Sequence, residues 1–153
     1  MMIEPRPTDD PVVRQLCVDQ QRELAGIEGD GHISFPLHEH IEFLVGLVDG
    51  EAVACGALQH LGDGVGEVKR MYVLPAHRGR GLSREILAAI EELARVQGLH
   101  TLRLETAPFL TAAVGLYTSS GYSEIPTFGM YEGHETSACY EKKLETAGLD
   151  DLR

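Results

Sequence analysis

The chain has 153 residues, 43% of them hydrophobic, with 13 basic and 24 acidic side chains and a formal net charge of −11. That length supports one domain around one core and not two. A field of that sign repels phosphate backbones and anionic lipid, so neither nucleic acid nor a membrane surface is expected as a partner, while a cationic acceptor such as an amine suits it.

Met1 to Asp10 carries acids and prolines rather than a basic stretch followed by an apolar one. No secretory signal is read there, no apolar run approaches the roughly 20 residues that cross a bilayer, and a cytoplasmic location is expected. Thr8, Asp9 and Asp10 before Pro11 predict a helix start with proline in its first turn. Val12, Val13, Leu16, Gln20, Leu24 and Ile27 recur near helical spacing, which predicts an amphipathic helix over 11–26. Glu28 to His40 reads as a loop, long enough to be a binding loop or a lid. Its His32, His38 and His40 are solvated residues or acceptor contacts; His-x-His with no third ligand is a weak metal pattern, and no metal is expected.

Residues 41–48 and 51–59 flank Asp49-Gly50, a hairpin signal of the type I′ kind. A second turn at Gly62-Asp63-Gly64 leads into a strand over 65–74, so a helix followed by an antiparallel meander is expected. Leu82, Ile86, Leu87, Ile90, Leu93 and Ala94 then line one face of a predicted helix over 82–97, with Gly98 placed to end it. A strand over 99–106, a shorter helix over 109–120 and a last strand over 136–144 follow. Residues 145–153 read as a polar tail. The order implies an α+β sheet with helices on its faces.

Cys17, Cys55 and Cys139 make no CxxC pair and no even framework, as expected of reduced thiols. Cys17 and Cys55 have apolar neighbours and read as small core residues.

The segment Arg78-Gly79-Arg80-Gly81-Leu82-Ser83 joins a strand to a helix. Glycines allow close backbone approach and positive φ. The first N–H groups of a helix lack internal partners and carry a partial positive charge, and Arg78 and Arg80 add charged donors. This combination suits a pyrophosphate. The loop has neither the GxxxxGK[ST] nor the GxGxxG spacing.

Lys69-Arg70-Met71-Tyr72-Val73-Leu74-Pro75 followed by Arg78-Gly79-Arg80-Gly81 resembles the GNAT superfamily of N-acetyltransferases, whose signature is [Q/R]-x-x-G-x-[G/A]. Arg78 and Gly81 match it, and Ser83 stands where Gly or Ala is usual. Leu116-Tyr117-Thr118-Ser119-Ser120-Gly121-Tyr122 matches a second family element, an apolar-Tyr-x-x-x-Gly-aromatic run. The resemblance covers about residues 40–144. It implies a single GNAT-like domain over 1–144, with a mixed, mostly antiparallel sheet of six to seven strands flanked by about four helices. It implies that acetyl-CoA is the co-substrate. The strand ending near Val73 would splay from its neighbour, leaving backbone groups of Met71 and Val73 to pair with the pantetheine arm. Amides of residues 79–83 would hold the pyrophosphate, and Tyr117 would be the general acid at the thioester sulfur. The position before the second helix, often Asn in the superfamily, is Leu110 or its neighbour here.

An amine must be neutral to attack a thioester, and one with a pKa of about 10.4 is neutral in roughly one molecule in 2,500 at pH 7. A base and an acid are therefore needed, together with an oxyanion donor such as a backbone N–H near Met71 or Tyr72. Glu67 is the favoured base, because two-residue periodicity puts it on one face with Met71; Glu105 is its rival. Phe109, Phe128 and Tyr131 are candidates for lining an acceptor pocket. Cys139 has no basic neighbour in sequence, so direct attack in a ternary complex is expected over a ping-pong route. A non-catalytic acyl-CoA sensor, and a transferase for a longer acyl group or a hydroxyl acceptor, remain open. A homodimer through an exposed sheet edge is a further expectation.

Overall fold

A computed structural model describes residues 1–28 and 41–145. All of the predicted loop after Glu28, with His32, His38 and His40, and nearly all of the predicted tail lie outside the described residues. Seven strands form one sheet in the order β1-β2-β3-β4-β5-β7-β6: β1 Met2–Arg6, β2 Ile41–Val48, β3 Glu51–Gly62, β4 Val65–Val73, β5 Thr101–Thr106, β6 Ser123–Ile125 and β7 Ala138–Lys143. All pairings are antiparallel except β4 with β5. Three α-helices are present among the described residues, against an expectation of about four: α1 Pro11–Glu28, α2 Leu82–Val96 and α3 Thr111–Ser119.

Two strands were not legible in the sequence. Pro5 sits in the middle of β1 and argues against a strand, yet β1 is an edge, where a missing N–H costs no ladder bond. β6 is three residues long, too short to show a period, and forms the other edge. The expected turns do form. Asp49 and Gly50 both have positive φ, at 51° and 80°, as a type I′ turn requires, and Asp63 and Gly64 repeat this at 56° and 78°.

The start of α1 rests on Asp10, whose Oδ1 accepts the Val12 N–H at 2.8 Å, as an N-cap does. The apolar stripe of α1 covers one face of the sheet, where Val13 and Leu16 pack with Phe43, Val45, Cys55, Ala57 and Tyr72. On the opposite face Ile86, Leu87 and Ile90 of α2 meet Leu58, Val68, Leu102 and Leu104, and Tyr117 of α3 joins the same core. A buried carboxylate ties this side together. Glu91 accepts a hydrogen bond from Tyr122 Oη at 2.8 Å and from Lys142 Nζ at 3.0 Å, joining α2 to the β6–β7 end.

Two irregularities of β4 shape the centre of the molecule. First, Cys55 pairs with Tyr72 and Ala57 with Lys69, so Arg70 and Met71 together face Gly56 alone. This is a β-bulge, and Arg70 has a φ of 56°. Second, β4 pairs with β5 only from Val65 to Val68. Beyond that point β5 keeps its partner on the other side, β7, as far as Thr106, while β4 runs on to Val73 paired with β3 only. The two parallel strands diverge there.

Candidate active site

The divergence opens a cavity of about 720 Å³ that reaches through the sheet, with walls from both helical layers. Gln20 and Glu23 of α1 line it from one face, Leu82 and Ser83 of α2 and Leu116 and Tyr117 of α3 from the other. Glu67, Met71 and Val73 of β4 and Glu105 of β5 form its middle.

Met71 and Val73 stand at the open edge of β4. Tyr72 pairs with Cys55, and the Leu74 N–H donates to Val53 O at 2.8 Å. Alternation therefore turns the peptide groups of Met71 and Val73 toward the gap and the N–H of Tyr72 toward β3. Of the two expected oxyanion donors, the Tyr72 N–H is thus turned away to β3, and the Met71 N–H faces the gap. Both gap-facing carbonyls already accept side-chain donors: Gln20 Nε2 reaches Met71 O at 2.8 Å, and Arg78 Nε reaches Val73 O at 2.9 Å. The other amide atom of that glutamine, Gln20 Oε1, is buried without a hydrogen-bond partner, which leaves an acceptor suited to an incoming N–H. Sequence inspection gave Gln20 only as one more residue of a helical stripe.

The glycine-rich loop has the geometry its composition predicts. Gly79 and Gly81 have φ of 79° and 77°, and Gly81 is the N-cap of α2. A Cβ at either would meet nothing within 4 Å, so the space over these backbones is open. Gly79, Gly81, Leu82 and Ser83 line the cavity; Arg80 is exposed and does not. Arg78 turns back toward α1, where its Nη2 donates to both carboxylate oxygens of Glu23 at 2.8 Å and its guanidinium lies 5.6 Å from the Tyr72 ring centre.

Glu67 is only 3% exposed and accepts a hydrogen bond from Tyr131 Oη at 2.5 Å. Burial pushes its carboxyl above the usual range; the tyrosine bond and the Lys69 charge pull the other way. The expectation that Glu67 shares a face with Met71 is overturned by the bulge. Glu67 and Lys69 lie opposite Gln59 and Ala57, and Ala57 belongs to the α1-side core. Met71 packs with the α2-side core. The extra residue at Arg70 reverses the alternation, so carboxylate and open edge meet through the gap and not along one face.

Glu105 lies across the cavity with Ser137 Oγ donating to it at 2.5 Å. Tyr117 is 6% exposed, and burial foremost, then the Glu105 charge, pushes its phenol up, so it keeps its proton at neutral pH. Tyr122 packs edge-on against it with ring centres 5.9 Å apart. Of the aromatic candidates, Phe109 and Tyr131 line the cavity, while Phe128 stacks edge-on with Tyr131 at 5.3 Å and lies under the Arg103 guanidinium. Leu110 is the N-cap of α3 and makes no side-chain cap bond. The Cys139 thiol is fully buried, raised above its usual value chiefly by that burial, and felt by three carboxylates. A thiol so placed is a poor nucleophile.

Residues 13–122 match the acetyltransferase (GNAT) family. An enzyme of Azospirillum brasilense named IAA acetyltransferase is 40% identical over 105 residues, 68% of this chain and 69% of that protein. A crystal structure from Klebsiella pneumoniae, described as an acyl-CoA N-acyltransferase, superposes with a TM-score of 0.82 at 34% identity, covering 94% of this chain and 97% of that one. A more distant PaiA N-acetyltransferase from Thermoplasma acidophilum, solved with coenzyme A, shares the fold at a TM-score of 0.69 and 18% identity, covering 94% and 99% of the two chains. The chain thus belongs to the GNAT family of acetyltransferases and is an acyltransferase.

Proposed function

We propose that this acyltransferase moves the acetyl group of acetyl-CoA to a primary amine by direct attack in a ternary complex. The observation that carries this reading is the gap between β4 and β5, where a buried carboxylate, a protonated phenol and an unpaired strand edge share one cavity. Met71 and Val73 offer their edge groups to the pantetheine arm, and Gln20 Oε1 offers an acceptor to one of its amides. The pyrophosphate is assigned to the amides of residues 79–83, with Arg78 and Arg80 as charged neighbours on the same loop.

Glu67 takes the proton of the attacking ammonium, directly or through one water, as the nitrogen lone pair forms the new C–N bond. The Met71 N–H is the donor placed for the oxyanion. When the C–S bond breaks, Tyr117 gives its proton to the departing thiolate. The nitrogen gives up its second proton through water to restore the Tyr117 phenol, and the proton held by Glu67 returns to solvent, so the cycle closes with free thiol and neutral amide. The elevated Glu67 carboxyl suits a base working near neutrality better than an ordinary glutamate would.

The test is thiol release from acetyl-CoA against amines, amino acids, polyamines and peptide N-termini. Turnover with at least one class is expected. Tyr117→Phe should lower kcat by about 10²-fold or more while leaving the KM for acetyl-CoA within a few fold, because an acid for the leaving group acts only in the transition state. Tight acetyl-CoA binding with no turnover of any amine would instead indicate a non-catalytic acyl-CoA sensor.

A further inference from the structure

Both carbonyls at the open edge of β4 are held from α1. Gln20 Nε2 donates to Met71 O at 2.8 Å. Val73 O accepts Arg78 Nε at 2.9 Å, and Nη2 of the same guanidinium donates to both carboxylate oxygens of Glu23 at 2.8 Å. Gln20 and Glu23 are three residues apart in α1 and so are neighbours on its surface. Met71 and Val73 are two residues apart on one strand edge, roughly 6.6 Å. One turn of helix thus engages two consecutive gap-facing carbonyls, the first directly and the second through one arginine.

Glu23 stands where a negative charge needs a reason. Its carboxylate is bonded to the first residue of the loop assigned to a pyrophosphate, and like charges there repel. Stability is not the reason, because the Arg78 and Glu23 side chains are 44% and 32% exposed and so open a pair contributes little. What the pair does contribute is orientation. Nε and Nη2 share one edge of a rigid plane, so fixing Nη2 on the carboxylate fixes the direction of Nε toward Val73. Tyr72 supports the same arrangement, with its ring 5.6 Å from the guanidinium and its Oη donating to Glu23 at 3.4 Å. In an extended strand the N–H and C=O of one residue point the same way, so a held Val73 carbonyl keeps its N–H aimed into the gap.

Resting on the donor contacts proposed above, we propose that α1 is part of the donor site and that Glu23 is a positioning residue for the pantetheine arm. It acts through Arg78 on the Val73 carbonyl, as Gln20 acts directly on that of Met71. With both carbonyls held, the edge presents its two N–H groups to acceptors on the donor: Met71 to the thioester oxygen, Val73 to an amide carbonyl of the arm. The Arg78 guanidinium thereby serves the arm more than the pyrophosphate, which is left to the loop amides.

The experiment is titration calorimetry of the full chain with acetyl-CoA and with its phosphorylated ADP half, which lacks the arm. Glu23→Ala should raise the Kd for acetyl-CoA by about fivefold or more. It should leave the Kd of the nucleotide half unchanged or lower it, since an anion is removed from its surroundings. In an Arg78→Met background the same substitution should change the acetyl-CoA Kd by less than about twofold, because a residue that acts through Arg78 has nothing left to act on. In the thiol-release assay the loss should appear in the KM for acetyl-CoA, with kcat held within about twofold. Glu23→Gln, which keeps the shape of the side chain, should show a smaller loss in the same direction and decides the matter if the alanine variant does not fold. An acetyl-CoA Kd left unchanged or lowered, an equal loss for the nucleotide half, or a full loss that persists without Arg78 overturns this inference and leaves the donor assignment standing. No binding of acetyl-CoA by the unaltered protein removes both.

Discussion

Glu67 is where one residue's environment makes the sharpest demand on chemistry. Burial raises its carboxyl and Tyr131 holds it down through a 2.5 Å bond. The base form exists only above the folded-state value, so activity should fall as pH drops through it. Glu67→Gln should lower kcat/KM by about 10²–10⁴-fold and abolish that acidic limb. Tyr131→Phe removes a cause that lowers the value and leaves burial in place, so the limb should move to higher pH; a limb that stays put would separate Tyr131 from the base. The loop glycines Gly79 and Gly81 were legible because positive φ is written into residue type. The relation of Glu67 to Met71 was not, because a bulge is specified by pairing across the sheet and an arginine in left-handed backbone has no signature in a linear pattern.

Among the elements, α2 was the easiest to read and is held most tightly. Its apolar stripe is regular, and the one acid on its buried side, Glu91, meets Tyr122 and Lys142. Glu91→Ala would leave that hydroxyl and ammonium without their shared acceptor. It should cost on the order of 2–4 kcal/mol in urea unfolding at neutral pH, and α2 should lose its anchor to the β6–β7 end. Period alone suggests that Glu91 is solvent-facing; its partners lie 31 and 51 residues away in sequence, beyond the reach of local patterning. Edge strands β1 and β6 escaped notice for the opposite reason. Their pairing is supplied almost wholly by neighbours already in place, so their own residues need carry little signal.

For the whole molecule, the order of elements was readable nearly throughout, and the two family motifs located the loop and the tyrosine that the fold brings to one cavity. The rest of the cavity lining was not readable, since it is assembled from α1, the bulge, β5 and Tyr131. Ligand binding should register on global stability. At free coenzyme A about 100 times its Kd, stabilisation is about 2.7 kcal/mol. For a chain of this length that corresponds to a rise in Tm of roughly 5–10 °C in a thermal scan. Absence of any shift at millimolar ligand would argue against the assigned pyrophosphate and pantetheine contacts.

The parting of β4 from β5 has one more consequence. A sheet normally separates its two faces as a wall does. Here the wall has a slot, with α1 standing at one mouth and α2 and α3 at the other. For the direct transfer proposed above, such a passage would give donor and acceptor separate doors. Neither has to leave for the other to enter, and a spent product can back out without disturbing its neighbour.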